Sequence, residues 1–328
     1  MPDSTSSPTT GRAENYLAPE TLGQLAPFEL RAKMIVEGVM SGMHRSPYQG
    51  MAVEFAQHRQ YVAGDDLKHL DWKVFGRSDK LYLKQYQQET NLDVVVLVDA
   101  SASMAFGTLP VKPKWGGTAA SRAKNHWTKF DHATALAIAI AYLCLQQQDR
   151  VGVGIFADEL RSMIKRSSAR SQWRSIVNIL SAEPVESQTN LTRVAEQVLS
   201  KVTNRALFVI ISDLFDDPEA IKTALARFRH ARHDVILMHT MDRQEMRFDY
   251  TQPAPFLGME NEGRLRIDPR ALRDAYLEAI NAHVEKISKL ALGFGFDYQR
   301  VDTHESVGPA LAYLLARRNA QMKRSKFG

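Results

Sequence analysis

The sequence predicts an α/β protein built on a doubly wound, mainly parallel β-sheet with helices on both faces, preceded by an N-terminal helical and β extension. From residue 92 onwards, apolar runs rich in β-branched residues alternate with segments of helical periodicity, which is typical of parallel strands joined by crossover helices. The run 94–98 is apolar throughout, as expected for a strand that is buried on both faces.

The predicted elements follow one another in a simple order. A helix is predicted in 26–42, where apolar residues recur at helical spacing, and the stretch 44–80 is irregular, polar and aromatic. The segment 81–89 alternates like a strand, and we expect it to lie beside the strand 92–98. The other predicted strands are 150–156, 160–166, 206–212, 234–240 and 296–301. The other predicted helices are 129–147, 170–181, 191–203, 218–231, 269–292 and 307–321.

Two connections stand out by composition. The segment 105–127 is rich in Gly and Pro and is basic, which predicts a long surface loop beside the end of the first strand. The segment 253–267 resembles a hairpin that turns at 261–263.

The chain therefore divides into four parts. We expect a disordered tail (1–25), an N-terminal region packed on the sheet (26–90), an α/β domain (91–320) and a short basic tail (321–328).

Composition narrows the classes of protein to be considered. The 328 residues are enough for one large domain or two, and the net charge of +5 comes from a surface on which acidic and basic residues are mixed, so we expect no nucleic-acid partner. The single cysteine, Cys144, cannot form a disulfide within the chain, and a reducing compartment is expected. No segment approaches the ~18 apolar residues of a membrane span, so we expect a cytoplasmic protein.

Three oxygen-bearing side chains follow the first strand of the α/β region. Asp99, Ser101 and Ser103 are two residues apart, so in an extended loop they point the same way. Ligands of open α/β sheets bind at the carboxyl ends of strands, where the strand order reverses. Such oxygens suit Mg²⁺ or Mn²⁺, but three are too few for an octahedral shell, so further ligands are expected at other strand ends. Alternatively, the two serines are turn or cap residues.

Two later positions are candidates for the missing ligands. Thr189 lies before a predicted helix in "ESQTNLT", and Asp213 follows the strand of "FVIISDLFDD". Thr192 competes with Thr189, although it falls within the predicted helix. Asp213 could instead cap the next segment, in which case Asp216 or Asp217 would be the ligand.

This combination resembles a known metal site. Asp-x-Ser-x-Ser after the first strand, a distant loop threonine and an aspartate after a later central strand are together similar to the metal-ion-dependent adhesion site of the von Willebrand factor A domain. The resemblance runs from about residue 92 to the C terminus and implies that fold, with a Mg²⁺ or Mn²⁺ ion. The implied ligands are Asp99, Ser101, Ser103, Thr189 and Asp213. Because only two of them carry charge, the cation stays electrophilic, and an acidic side chain of a partner protein can replace a water at its open position.

A second pattern lies in the segment 54–89. Its characteristic residues are Arg59, Tyr61, Gly64, Asp65, Asp71, Trp72 and Arg77. They resemble the signature of the bacterial domain of unknown function 58 (DUF58) family, in which this segment directly precedes a von Willebrand A-like domain. Here Lys68 and the pair 75–76 depart from the family pattern. Since the arginines can pair with the nearby carboxylates, the segment is either an internal brace or a partner-docking surface.

The two resemblances imply a non-catalytic, metal-dependent protein-binding module. They further imply an adaptor for a MoxR-type AAA+ ATPase in the assembly, maturation or stress handling of other proteins. One alternative is a Mg²⁺-dependent hydrolase, such as a phosphatase with Asp99 as nucleophile, which would call for a second acid where Ser101 stands and for a lysine near the phosphate. Another is a scaffold with a vestigial metal site. The glycines at 152–154 lack the spacing of a dinucleotide-binding loop.

Overall fold

The computed structural model describes residues 36, 57–62, 72–78, 80–85, 92–110, 126–181, 187–252, 254–257, 263–314 and 316. The chain forms two compact units. The smaller one is Met43–Asn91, and the larger one combines Met1–Gly42 with Leu92–Gly328. The finer division into tails and a signature region stays a prediction.

The smaller unit contains a short hairpin-like pair of strands and one helix among its described residues. They are β1 (Gln57–Gln60), α1 (Trp72–Ser78) and β2 (Tyr82–Gln85). The strands are antiparallel, with Gln60 opposite Tyr82. Strand β1 lies within 44–80, so the predicted irregular structure of that stretch is wrong at these residues.

The larger unit is organised around a six-stranded sheet. Its strands and the short strands between them are β3 (Asp93–Asp99), β4 (Leu109–Pro110), β5 (His126–Trp127), β6 (Arg150–Phe156), β7 (Leu160–Met163), β8 (Leu207–Ser212), β9 (Asp234–Met241), β10 (Ala254–Leu257), β11 (Arg264–Ile267) and β12 (Asp297–Asp302). The sheet order is β12-β9-β8-β3-β6-β7. Every neighbouring pair is parallel except β6 and the edge strand β7.

The helices of this unit lie between the strands in sequence. They are α2 (Lys129–Gln146), α3 (Gln172–Leu180), α4 (Leu191–Lys201), α5 (Pro218–His230), α6 (Arg243–Arg247) and α7 (Pro269–Gly293). A 3₁₀ turn covers Ala102–Ala105, and residues 308–314 are helical. Among the described residues, no helix is long and apolar enough to cross a membrane.

The sheet is covered by helices on both faces, because its central strand is apolar on both. Val95 and Leu97 face a core shared with α4, α5 and α7, whereas α2 packs on β3 and β6, and α3 packs on α2. Val94, Val96 and Val98 are buried as completely as the residues between them. This arrangement confirms the predicted fold class, a doubly wound, mainly parallel α/β sheet.

Helix α2 begins at Lys129 because the residues of its first turn cap it. The Thr128 hydroxyl accepts a hydrogen bond from the Asp131 backbone N–H, and the Asp131 carboxylate accepts one from the Thr128 backbone N–H. Such reciprocal capping satisfies backbone donors that have no partner inside the helix. This helix confirms the one predicted over 129–147, and its start at Lys129 brings that lysine to the carboxyl edge of the sheet.

One predicted strand pairing is wrong. The alternating segment 81–89 was expected to lie beside 92–98, but β2 pairs with β1 in the smaller unit. The central strand β3 has β6 on one side and β8 on the other, so both of its edges are already hydrogen-bonded. Proximity in sequence suggested a hairpin, but parallel neighbours from distant parts of the chain occupy both positions.

The predicted surface loop 105–127 is wrong at its C-terminal end. Leu109 and Trp127 face each other in a short antiparallel pair, β4–β5, and the Trp127 side chain is fully buried. Its indole N–H donates to His132 Nδ1 at 3.3 Å. Residues 111–125 lie outside the described part of the chain.

Other expectations are met where the structure describes them. Strands β10 and β11 pair antiparallel, as expected for the hairpin in 253–267. Of the predicted helix in 26–42, only Val36 is described, and it is helical and buried. The short helix α6, which follows β9, was not predicted.

Candidate metal centre

The candidate site lies at the carboxyl ends of β3 and β8, in the middle of the sheet. From β3 the chain passes to β6 on one side, and it later returns to form β8 on the other. The order of strands therefore reverses at β3, and this is where open α/β sheets leave a crevice for a ligand. The loops after β3 and β8 and the loop before α4 meet there.

Asp99 is the last residue of β3, and its carboxylate is fully buried. Oδ1 accepts a hydrogen bond from the Ser101 backbone N–H at 2.8 Å. Oδ2 accepts one from Ser212 Oγ at 2.6 Å and one from Thr189 Oγ1 at 3.0 Å. One carboxylate is thus in contact with all three loops.

The two serines that follow Asp99 bring their hydroxyls together. Ser101 Oγ lies 3.1 Å from Ser103 Oγ, and both side chains are buried. Ser101 precedes the 3₁₀ turn in an extended conformation, yet its side chain makes no capping hydrogen bond. Of the alternative that the two serines are turn or cap residues, side-chain capping by Ser101 is therefore wrong, whereas Ser103 does lie within the turn.

The structure distinguishes the two candidate threonines. Thr189 is buried and its hydroxyl contacts Asp99, whereas Thr192 lies in α4 and donates its hydroxyl to the Ala220 carbonyl at 2.9 Å. The loop that carries Thr189 is held on the site by the Ser187 carbonyl, which accepts a hydrogen bond from the Ala102 backbone N–H at 3.1 Å.

The structure also distinguishes the three candidate aspartates. Asp213 follows β8 directly and is fully buried, with Oδ2 at 2.7 Å from the ammonium nitrogen of Lys129. Asp216 accepts a hydrogen bond from the backbone at the start of α4, and Asp217 caps α5. The five predicted ligand residues thus form one cluster, in which Asp213 is the aspartate beside Asp99. Their role as metal ligands stays a prediction.

Three residues of the cluster were missed in the sequence analysis. Ser212 binds Asp99 and also accepts a hydrogen bond from the Leu214 backbone N–H at 2.9 Å. Lys129 is fully buried and binds Asp213 and, at 2.6 Å, Glu245. A lysine at the start of a largely apolar helix is a signal that could have found Lys129, but the short helix that carries Glu245 has no comparable pattern.

The carboxylates of the cluster carry more negative charge than its one ammonium group balances. Burial and the nearby charge of Asp213 raise the pKa of Asp99 to about 7. Burial also raises the pKa of Glu245. Burial opposes the charge of Lys129, but the carboxylates of Asp213 and Glu245 outweigh this and raise its pKa. When all four groups are ionised, three carboxylates and one ammonium leave two negative charges, which one divalent cation would balance.

A buried histidine adds no compensating charge at neutral pH. His239 in β9 lies near Asp213, and burial lowers its pKa to about 4, so its imidazole is neutral at pH 7. The excess negative charge of the cluster is therefore not offset from this side.

The donor set fits a hard divalent cation better than a soft one. It consists of hydroxyl and carboxylate oxygens, and hydroxyl oxygens keep lone pairs for a metal while they donate a hydrogen bond. Within the described ranges, no group of three His, Cys, Asp or Glu side chains could hold a metal ion. A metal site here would therefore depend on the hydroxyls of Ser101, Ser103 and Thr189. Mg²⁺ suits such a set because it usually keeps several waters.

The structure describes only some of the signature residues of the smaller unit. The Tyr61 backbone N–H donates to the Leu81 carbonyl at 2.9 Å, which extends the β1–β2 pairing. Trp72 is 66% exposed, and its ring meets that of Phe75 edge-on at 6.2 Å. Arg77 is exposed at the end of α1. Gly64, Asp65, Asp71 and the side chain of Arg59 lie outside the described part. Both interpretations, brace and docking surface, remain open.

The chain is similar to proteins of mycobacteria. Uncharacterized protein Rv1480 of Mycobacterium tuberculosis and Uncharacterized protein Mb1516 of Mycobacterium bovis are each 25% identical to it over 283 residues. Each alignment covers 84% of this chain and 83% of the relative.

Two solved structures are also similar. One is conserved hypothetical protein BatB from Bacteroides thetaiotaomicron, with a TM-score of 0.40 and 18% identity, covering 69% of this chain and 98% of that one. The other is the SpRpn10 VWA domain, with a TM-score of 0.34 and 10% identity, covering 68% of this chain and 94% of that one.

The family model described as "Protein of unknown function DUF58" matches residues 57–286. The match begins at β1, takes in the described elements of the smaller unit and continues through five of the six sheet strands into α7, leaving out the edge strand β12. It therefore includes both the signature segment and the candidate metal centre. The protein belongs to the DUF58 family.

Proposed function

We propose that this protein is a non-catalytic, metal-dependent protein-binding module, and that it acts as an adaptor for a MoxR-type AAA+ ATPase in the assembly, maturation or stress handling of other proteins. The observation that carries the metal part is one buried cluster of oxygen atoms, drawn from three loops, at the carboxyl edge of the sheet. Its members are Asp99, Ser101, Ser103, Thr189 and Asp213.

A Mg²⁺ or Mn²⁺ ion would be held by the three hydroxyls and the two carboxylates, directly or through water. When bound, the ion supplies a positive centre that attracts a carboxylate. The residues around it hold the ligands in place. Ser212 and the Ser101 backbone N–H orient Asp99, and Lys129 holds one oxygen of Asp213.

The proposed binding chemistry follows from the charge of the site. Three of the five proposed ligands are neutral hydroxyls, so a divalent ion would keep an attraction for a further anionic ligand. A glutamate or aspartate of a partner protein would complete its shell. Such a contact needs no bond to be made or broken in either protein.

The hydrolase alternative is less well supported by the geometry. Lys129, whose ammonium nitrogen lies 2.7 Å from Asp213, meets this alternative's expectation of a lysine, but the second acid that it calls for is missing. The position two residues on is Ser101, which cannot act as a carboxylic acid.

A pair of threonines gives a matched test of the metal site. We expect Thr189→Val to weaken Mg²⁺ binding by about tenfold or more, since a ligand oxygen is lost, and Thr192→Val to change it by less than about twofold. Isothermal titration of both variants and the wild type measures this. Equal affinities in the two variants would rule out Thr189 as a ligand, and no binding by the wild type would remove the metal from the proposal.

The two threonine variants also test the adaptor role. They avoid the use of a chelator, because a chelator would also remove Mg²⁺ from the ATP that the ATPase needs. We expect the purified MoxR-type ATPase from the same genome to bind the wild type and Thr192→Val, and to bind Thr189→Val weakly. Undiminished binding by Thr189→Val would favour the scaffold with a vestigial metal site. Turnover of a generic phosphate ester that is lost in Asp99→Asn would favour the hydrolase.

A further inference from the structure

We propose that Lys129 is a positioning residue that couples cation binding at Asp99 and Asp213 to helix α6, so that occupancy of the site changes the stability of residues 243–248. The inference rests on the proposed metal binding and concerns how that event reaches another part of the surface.

Lys129 connects two carboxylates that belong to different elements. Its ammonium nitrogen lies 2.7 Å from Asp213 Oδ2 and 2.6 Å from Glu245 Oε1, and its side chain is fully buried. The ring of Phe215 lies 4.8 Å from the same nitrogen and shields it. A buried ammonium is stable only when its charge is paired, so Lys129 is held by both carboxylates at once.

Glu245 also caps the start of α6. While Oε1 binds Lys129, Oε2 accepts a hydrogen bond from the Asp242 backbone N–H at 2.8 Å and completes the capping box of the helix. Helix α6 has only five residues, so this cap supplies a large share of its stability. The position of the Lys129 ammonium is therefore linked to the first turn of α6 through a single side chain.

A second connection joins α6 to the loop that follows Asp99. The Asp242 carboxylate accepts hydrogen bonds from the Thr108 backbone N–H at 3.0 Å and from the Thr108 hydroxyl at 2.6 Å. Thr108 lies three residues beyond the 3₁₀ turn that contains Ser103. The loop after β3 and the loop after β8 thus both reach α6 through buried or half-buried polar contacts.

A cation between Asp99 and Asp213 would act on this network directly. It attracts the Asp213 carboxylate and repels the Lys129 ammonium, so Lys129 is drawn towards Glu245. A stronger Lys129–Glu245 contact fixes the carboxylate that caps α6. Cation binding is therefore expected to slow the opening of α6, and by linkage an intact Glu245 favours cation binding.

Hydrogen exchange measures this coupling in the full-length protein. In the wild type, saturating Mg²⁺ should slow exchange of the amides in 243–248 by about fivefold or more, the lower end of ordinary coupling between sites. In Glu245→Gln, which keeps a cap acceptor but not the charge, exchange there should be the same with and without Mg²⁺. Its Mg²⁺ affinity, measured by titration, should fall by about three- to tenfold. The control Glu285→Gln, at an exposed position of α7, should behave like the wild type.

The outcomes separate this inference from the proposed function. Mg²⁺ binding by the wild type without slower exchange in 243–248 would overturn the coupling and leave the metal site standing. Full slowing in Glu245→Gln would also overturn it. No Mg²⁺ binding by the wild type would overturn both proposals. The wild-type comparison alone is decisive, whether or not the variant folds well.

Discussion

Two buried aspartates lie at the carboxyl ends of strands in the same sheet, and their surroundings differ. Asp242 follows β9, and each of its oxygens accepts two hydrogen bonds, from Thr108, Gln244 and Thr303. Asp99 ends β3 and is equally buried, and burial together with the nearby charge of Asp213 raises its pKa. The comparison teaches that burial of a strand-end carboxylate is not itself a sign of a ligand site. A carboxylate whose oxygens each accept two hydrogen bonds from protein donors is structural, whereas one that accepts three and lies near a second carboxylate favours a cation.

The largest expected effect is on stability at the structural carboxylate. In Asp242→Asn, an NH₂ group replaces one of the two carboxylate oxygens, and the donors that bonded to that oxygen lose their acceptor. We therefore expect the free energy of unfolding to fall by about 3 kcal/mol. Urea denaturation with and without Mg²⁺ should give the same loss. A loss below about 1 kcal/mol would mean that Asp242 is not the structural member of the pair.

A comparable but metal-dependent effect is expected at Asp99. At a Mg²⁺ concentration 100 times the dissociation constant, the wild type should gain about 2.7 kcal/mol of unfolding free energy. Asp99→Asn should gain almost nothing, because a charged ligand is missing. The measurement is urea denaturation in Mg²⁺ and in chelator. Equal gains in the wild type and the variant would contradict the assignment.

The pH dependence of stability tests the surroundings of Asp99 without any metal. Because the pKa of Asp99 is raised from 3.8 to about 7 in the folded state, the folded protein holds a proton that the unfolded chain releases, and stability falls as pH rises towards and through 7. Between pH 6 and pH 8 in chelator, this contribution amounts to a loss of about 1.4 kcal/mol.

Buried histidines change stability with the opposite sign, so the predicted quantity is the difference in stability between the wild type and Asp99→Asn. The pKa of His132 and of His239 is lowered to about 4 by burial, and their contributions grow as pH rises through the unfolded value near 6.5. They are present in both proteins and cancel when Asp99→Asn is subtracted from the wild type. Equal pH slopes for the two proteins would show that Asp99 is ionised throughout this range.

The smallest effects are expected at the hydroxyls beside each carboxylate. Ser101→Ala and Thr303→Val each remove one buried hydroxyl, at a cost of about 1 kcal/mol in chelator. Only Ser101→Ala should also weaken Mg²⁺ binding, by about tenfold. Titration and urea denaturation of both variants measure this, and a similar loss of affinity in Thr303→Val would mean that the two regions are not distinct.

Much of the fold could be predicted from the sequence because each buried parallel strand leaves a local trace there, a run of apolar residues. A strand buried on both faces, such as 94–98 or 207–211, is a continuous apolar run, and the helices between them have amphipathic spacing. Pairing leaves no such trace. The strand 82–85 was therefore placed beside 92–98 although its partner is 57–60.

The candidate site was predictable for a related reason. Asp99, Ser101 and Ser103 are local, and the carboxyl-edge rule brings in residues that follow other strands. The contacts of Lys129 span 84 residues to Asp213 and 116 to Glu245, so no window of sequence reveals them. They appear only once α2 and α6 are packed against the same edge.

The central claim is that oxygen atoms from three loops hold one divalent cation. The most direct test is a crystal structure of the protein grown with Mn²⁺, with anomalous diffraction to locate the metal. The account predicts a single peak within coordination distance, about 2.0–2.5 Å, of hydroxyl oxygens from both the Asp99 loop and Thr189, on the side of Asp213 away from Lys129. Well-ordered density for these residues without a peak among them, or a peak held by a different set of residues, would contradict it.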